Sequence, residues 1–272
     1  MYLAVDIGAT KVLMAVFTSK GEVVEQLKFA TPKTYDGFMK EVAKQLPNLK
    51  HSDFSVAAVA VPAKLDRQHG IAIAFGNRPW RNVPISHDLE KLVRCPVVIE
   101  NDAKLAALSE AILIKKDFRK VLYVTISTGI SSGLVIDGVL DPNLIDSESG
   151  QMWFEHNGKL TQWEDFASGR AIVETYGKRA SEIEDEATWK VIAQNIALGL
   201  RELIAVIQPE VIVLGGGVGT HYEKFKLPLS KELKKYELPI APTPPIVRAQ
   251  KPEEAVIYGC FELAKGFHAN VA

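Results

Sequence analysis

The chain has 272 residues, 47% of them hydrophobic and 24% charged, and its 32 basic and 33 acidic residues leave a net charge of -1. That balance excludes a strongly basic nucleic-acid binder while leaving room for a local basic patch. No stretch approaches the ~18 uninterrupted apolar residues of a membrane span. The length corresponds to roughly two domains at about 150 residues each. Met1 to Val5 carry no positive charge, and Asp6 interrupts the apolar run at once, so no cleaved signal peptide is expected. Cys95 and Cys260 sit far apart in apolar surroundings, which suits buried thiols in a reducing cytoplasm.

YLAVDIG reads as a strand and KVLMAVFT as its partner, with Gly8-Ala9-Thr10 as the tight turn between them. EVVEQLKFAT follows as a third strand, ended by Pro32. A helix is predicted over Tyr35 to Gln45, where Phe38, Val42 and Leu46 fall at helical spacing. SVAAVAVPA is a continuous apolar run, as expected of a strand buried on both faces. ISHDLEKLV reads as a short helix with Ser86 as its N-cap, and CPVVIEND as a buried strand running into the helix AKLAALSEAI. The same grammar then recurs. VLYVTIS, the turn Thr128-Gly129 and SSGLVIDG form a second strand pair, and VLDPNL begins a third strand. Helices are predicted over Gly169–Arg179, Thr188–Ile207 and Tyr222–Lys235, strands at EVIVLGGG and Ile246–Arg248, and a last helix over Glu253–Phe267. Two copies of one α/β unit explain this order better than one large sheet. The predicted domains are 1–116 and 117–252, divided near the charged stretch Lys115–Lys120, with 253–272 a terminal helix returning to the first domain.

Four features lie at strand ends, where open α/β sheets bind ligands. In Asp6-Ile7-Gly8-Ala9-Thr10-Lys11 the carboxylate can hold a hydrated Mg²⁺, and the turn amides and Thr10 hydroxyl can meet phosphate oxygens. An ordinary hairpin with an N-terminal Asp would read the same way. Ser127-Thr128-Gly129-Ile130-Ser131-Ser132-Gly133 offers small residues and hydroxyls to an anion, again between two strands, without the spacing of a P-loop. A plain turn fits this segment as well, but two such loops at equivalent places in two halves are more telling. In Glu100-Asn101-Asp102, Asp102 is either the N-cap of the next helix or a general base. Gly215, Gly216 and Gly217 leave room for a flat ligand such as a nucleoside, or form a ligand-free strand-to-helix turn. The histidines at 51, 69, 87, 156, 221 and 268 show no metal-ligand spacing and read as surface or hydrogen-bonded side chains, and KELKK at 231–235 as a solvated helix face.

Taken together, DIGATK, IENDAKLAALSE, TISTGISSGLVIDG and VIVLGGGVG, in this order, resemble the ROK (repressor, ORF, kinase) family of sugar kinases, over almost the whole chain. FGNRPW resembles that family's sugar-side loop through Asn77 and Trp80, and WEDFASG at Trp163–Gly169 is a further match. The resemblance implies a two-lobed actin-like ATPase (ribonuclease H-like) fold, with duplicated α/β domains around a cleft that closes on sugar. It implies ATP and Mg²⁺ as cofactors, with Asp6, Gly8, Thr10, Lys11, Thr128 and Gly129 toward the metal and phosphates and Gly215 to Gly217 toward the adenosine. Asp102 would be the base, and Asn77, Asn101, Glu148, Gln151 and Glu164 would meet sugar hydroxyls. A homodimer in the cytoplasm is implied in the same way, with no nucleic-acid or membrane partner. The first kinase-like strand opens the sequence, so the DNA-binding segment of the family's repressors is not expected.

Two departures shape the expectation. Where the family has G-E-x-G-H, this chain has Ser147-Glu148-Ser149-Gly150-Gln151, and the following MWFEHNGKLTQW contains no cysteine. His156 alone cannot build a structural zinc site, so no zinc is expected. Serines at 127, 131 and 132 replace glycines usual in the second phosphate loop. The primary expectation is ATP-dependent phosphorylation of a hexose, glucose or a related sugar. The alternatives are a polyphosphate-dependent glucokinase and a non-catalytic sugar- or nucleotide-sensing protein.

Overall fold

A computed structural model describes residues 1–76, 78–252 and 254–271, the side chains of 270 and 271 excepted. The described residues divide into two compact units, 1–109 with the C-terminal segment from 254, and 110–252.

The first unit is built on β1 (Tyr2–Ile7), β2 (Lys11–Phe17) and β3 (Val23–Ala30), followed by α1 (Tyr35–Gln45) and β4 (Val56–Ala60). Thr34 caps α1 by accepting the Gly37 amide, which starts the helix at the predicted residue. Next come β5 (Ala63–Asp66), β6 (Ile71–Phe75), β7 (Arg81–Val83), α2 (Ile85–Val93), β8 (Val97–Glu100) and α3 (Asp102–Ile114). The main sheet has the order β3-β2-β1-β4-β8, antiparallel through β1 and parallel beyond it. Alternate side chains of β1 divide between its faces. Leu3, Val5 and Ile7 pack in a core with Phe38 and Val42 of α1 and Leu89 of α2. Tyr2 and Ala4 pack with Ile257, Cys260 and Phe261 of the last helix, Ala255–Val271. Both cysteines are buried and unpaired. The division between units falls inside α3, before the charged stretch at Lys115–Lys120.

Ser86 is not the cap of α2. That helix starts at Ile85, after Pro84, without a side-chain cap. Strands β5, β6 and β7 form a separate three-stranded antiparallel sheet that the sequence reading did not predict. Trp80, just beyond β6, is a core residue. It is buried against Phe75 and Phe38, and its indole N–H donates to the Lys33 carbonyl at 2.9 Å.

The second unit contains β9 (Lys120–Ile126), β10 (Ile130–Ile136), β11 (Val139–Leu140), β12 (Trp153–His156), β13 (Lys159–Gln162), α4 (Trp163–Ala167), α5 (Gly169–Tyr176), α6 (Glu186–Ile207), β14 (Val211–Gly215), α7 (Gly216–Gly219), α8 (Tyr222–Lys234) and β15 (Ile246–Arg248). Its sheet, β11-β10-β9-β14-β15, repeats the antiparallel-then-parallel order of the first. Leu122, Val124 and Ile126 of β9 pack with Ile196 and Leu200 of α6 and Phe225 of α8. The helix predicted to reach Arg179 stops at Tyr176, because Gly177 takes the left-handed conformation (φ 65°) and caps it. The hairpin β12–β13, turning at Asn157-Gly158 with both residues at positive φ, was also unpredicted.

No helix among the described residues is long and apolar enough to cross a membrane.

Candidate active site

In the first unit, parallel pairing places Asp6 of β1 beside Ala60, and Ala60 beside Glu100, so the acidic ends of β1 and β8 emerge at the same edge of the sheet. The turn after β1 is closed by the Gly8 amide, which donates to the Lys11 carbonyl at 3.0 Å. A Cβ at Gly8 would lie 2.9 Å from that oxygen, too close for any other residue without a shift. Thr31 braces the turn from β3's end, donating its hydroxyl to the Gly8 carbonyl (2.8 Å) and its amide to Thr10 (3.0 Å). Arg78 reaches the Ala9 and Pro32 carbonyls. Ala9, Thr10 and Lys11 remain exposed at the tip.

The Asp6 carboxylate makes no hydrogen bond among the described residues, although its backbone is paired in the sheet. Burial, and then the charge of Asp102, push its carboxyl up to about 6, against a weaker pull from Lys11. Asp102 is raised as well, chiefly by burial, while the Ala103 amide donating at 2.9 Å works the other way. A carboxylate held above its usual range without an internal partner fits a cation. Among the described residues no cluster of three or more His, Cys, Asp or Glu is suited to a metal. Mg²⁺ suits such a setting, since it takes one or two carboxylates and completes its shell with water and phosphate.

The cap of α3 is Asn101 rather than Asp102. Its Oδ1 accepts the Ala103 amide at 2.9 Å and the Lys104 amide at 3.3 Å. The side-chain NH₂ is the part of Asn101 that can still meet a ligand oxygen. Asn77 lies outside the described residues.

In the second unit, Ser127, Thr128 and Gly129 form the β9–β10 turn, closed by the Ser127 amide on the Gly129 carbonyl at 2.8 Å. Gly169, first residue of α5, donates its amide to the Ser127 carbonyl at 2.7 Å, so the helix start is docked on the turn. Glu164 of α4 holds the other side. Its Oε2 accepts the Ile130 amide at 3.2 Å, and its Oε1 accepts the Gln151 side-chain amide at 2.8 Å. Gln151 in turn accepts from Gln162 of β13 at 2.6 Å. Glu164 and Gln151, two of the residues expected to meet sugar hydroxyls, are therefore tied to the β9–β10 turn and to the β12–β13 hairpin. Glu148 is exposed just before the turn at Ser149–Gln151.

The three glycines after β14 have separate reasons. A Cβ at Gly215 would fall 2.1 Å from the Tyr123 hydroxyl, and one at Gly216 (φ 76°) 2.5 Å from the Ile126 carbonyl. Both make room for the chain itself. Gly217 has nothing within 4 Å and faces a cavity of about 760 Å³. That cavity also touches Ser127, Thr128, Gly169, Arg170, Arg179, Val218 and His221. Burial, and then the Lys224 charge, hold the His221 imidazole below its ordinary value. Sequence reading did not bring together Arg170, Arg179 and His221, which carry no local motif and line one cavity only through α5, the segment after it and the turn between α7 and α8. A second cavity of about 500 Å³, lined by residues of β12, β13, α4, α5 and α6, contains none of the expected site residues.

A family model described as "ROK family" matches residues 2–266. A glucokinase of Streptomyces coelicolor is 24% identical over 97% of both chains. An N-acetylmannosamine kinase of Vibrio cholerae is 27% identical over 88% of this chain and 93% of its own. Among solved structures, a ROK family glucokinase from Streptomyces griseus in complex with glucose and AMPPNP matches with a TM-score of 0.79 at 24% identity, covering 97% of this chain and 99% of that one. The fold is the actin-like ATPase fold with its two α/β units.

Proposed function

The chain belongs to the ROK family, and from that premise we propose that it is a sugar kinase, transferring the γ-phosphoryl group of ATP to a hydroxyl of a hexose or a close relative. The observation that carries this reading is the pair of raised carboxyls, Asp6 and Asp102, at one sheet edge. Phosphoryl transfer to an alcohol needs a charge to organise the metal and a base for the hydroxyl proton, and two carboxylates in different surroundings divide those tasks. Asp102, held above the usual carboxylate range by burial, accepts the proton as the sugar oxygen attacks phosphorus and ADP leaves. Asp6 would hold a hydrated Mg²⁺, which would supply positive charge to offset that of the phosphates. The amides and hydroxyls of the Gly8–Lys11 and Ser127–Gly129 turns meet the phosphates. The Asn101 amide, Asn77, Glu148 and Glu164, with Gln151 behind Glu164, orient the sugar.

ATP is favoured over polyphosphate as donor by the cavity at Thr128 and Gly217. Its volume is of the order that small-molecule sites provide, and it combines apolar walls with Arg170 and Arg179, as a nucleoside and its phosphates require. In a folded Asp102→Asn variant, sugar binding by calorimetry should persist while turnover falls at least ~10²-fold. Near-normal turnover would remove Asp102 from the mechanism. Turnover with polyphosphate but not ATP would transfer the donor assignment to that alternative.

A further inference from the structure

The Glu100 carboxylate is 3% exposed at the end of β8, one residue before the cap of α3. It is held by three donors. Arg67 Nε reaches Oε2 at 2.6 Å and Arg67 NH2 reaches Oε1 at 2.7 Å, the planar two-point grip that only a guanidinium supplies. The Asn101 backbone amide also donates to Oε1, at 2.6 Å. Arg67 comes from the turn between β5 and β6, in the small sheet whose middle strand leads into Gly76 and Trp80. Side chain and backbone thus form one chain of contacts, from that sheet through Arg67 and Glu100 to the Asn101 amide. Asn101 then fixes the first turn of α3 through the Ala103 and Lys104 amides, and Asp102 stands within that turn.

We infer that Arg67 and Glu100 are positioning residues for the general base, clamping the strand-to-helix turn that aims Asp102 and tying it to the small sheet. This rests on the kinase reading for its catalytic consequence, and on the contacts alone for its structural one. A bare structural ion pair would stabilise the unit without governing the turn. A clamp should govern the rate while leaving the nucleoside cavity beside Gly217, carried on the second unit, unaffected. Lysine at position 67 would restore the charge but not the two-point grip.

The test compares four full-length proteins: wild type, Arg67→Lys, Arg67→Met/Glu100→Met and Arg67→Met/Glu100→Gln. The double variants remove both charges together and leave no buried ion unpaired. In Arg67→Met/Glu100→Met, kcat should fall at least about tenfold, with the KM for Mg·ATP within about twofold of wild type. Amide exchange at Asn101, Ala103 and Lys104 should accelerate at least about tenfold, with Ala107 and Leu108 unchanged. Glutamine at 100 restores an acceptor for the Asn101 amide, so that variant should recover part of both the rate and the protection. Arg67→Lys should fall between wild type and the double methionine variant. Unchanged exchange at those three amides in folded protein would overturn the inference. So would full kcat in the double methionine variant. If wild type itself phosphorylates no sugar, the kinase reading fails separately, and the exchange measurement still decides whether the clamp exists.

Discussion

Replacing Asp6 by asparagine should make the protein more stable and, at the same time, inactive. Burial and the neighbouring Asp102 raise the Asp6 carboxyl from its ordinary 3.8 to about 6. At about 1.36 kcal/mol per pH unit, that rise is a cost of at most ~3 kcal/mol whenever the group is ionised in the folded protein. The side chain keeps some exposure, and the buried amide replacing it loses part of its own hydration, so a net gain of about 1–2 kcal/mol is expected for the variant. Because the folded-state value lies above the unfolded one, the native protein holds the proton more tightly between pH 4 and 6. Its stability through this group is therefore full below about 4 and lost as pH climbs through about 6. The advantage of Asp6→Asn should thus be complete at pH 7.5 and vanish toward pH 4. Thermal melting of both proteins without ligand across that range checks this, with a difference of about 2–4 °C expected at pH 7.5. Loss of Mg·ATP-dependent turnover in the same variant would show that the cost is borne for function. A variant less stable than wild type at pH 7.5, or a melting difference independent of pH, would refute the reasoning.

Gly216→Ala should destabilise the second unit by about 1–3 kcal/mol, since it combines a positive φ with a backbone clash, and chemical denaturation would measure it. Gly217→Ala has open space beside it and should fold normally while weakening nucleotide binding, read by calorimetry with a non-hydrolysable ATP analogue. Gln151→Ala cuts the link from Gln162 to Glu164 and leaves Glu164 with the Ile130 amide and Arg170 as partners. We expect kcat to fall about tenfold with the protein folded, and an unchanged kcat would show the relay to be dispensable.

What was legible in the sequence depended on whether the signal was local. The duplicated order of strand, small-residue turn, strand could be read because each turn carries glycine and each strand a dense apolar run, and the two sheets share one topology. The helix over Tyr35–Gln45 followed from the periodicity of Phe38, Val42 and Leu46, whereas its Thr34 cap emerged only in the structure. The small sheet β5–β7 escaped because its strands are three to five residues long and its outer two, AKLD and RNV, mix charge with apolar side chains. The β12–β13 hairpin had a usable signal in Asn157-Gly158, a dipeptide suited to tight hairpin turns, but the flanking WFEH and KLTQ lack clean alternation. Asn101 and Asp102 are both good cap formers, and sequence cannot say which of two adjacent ones the helix uses. The glycine run looked uniform, yet two of its members accommodate Tyr123 and Ile126, partners remote in sequence. Arg67 with Glu100, and Arg170 with Arg179 and His221, depend on pairings across the fold that no spacing encodes.

The most direct test of the account is ADP release from Mg·ATP by wild type and Asp102→Ala, run against glucose, mannose, fructose, allose, N-acetylglucosamine and N-acetylmannosamine. The account predicts turnover on at least one of these sugars, abolished in the variant. Wild-type silence on every sugar with both ATP and polyphosphate, in a protein that still binds sugar, would contradict it and favour the sensing alternative.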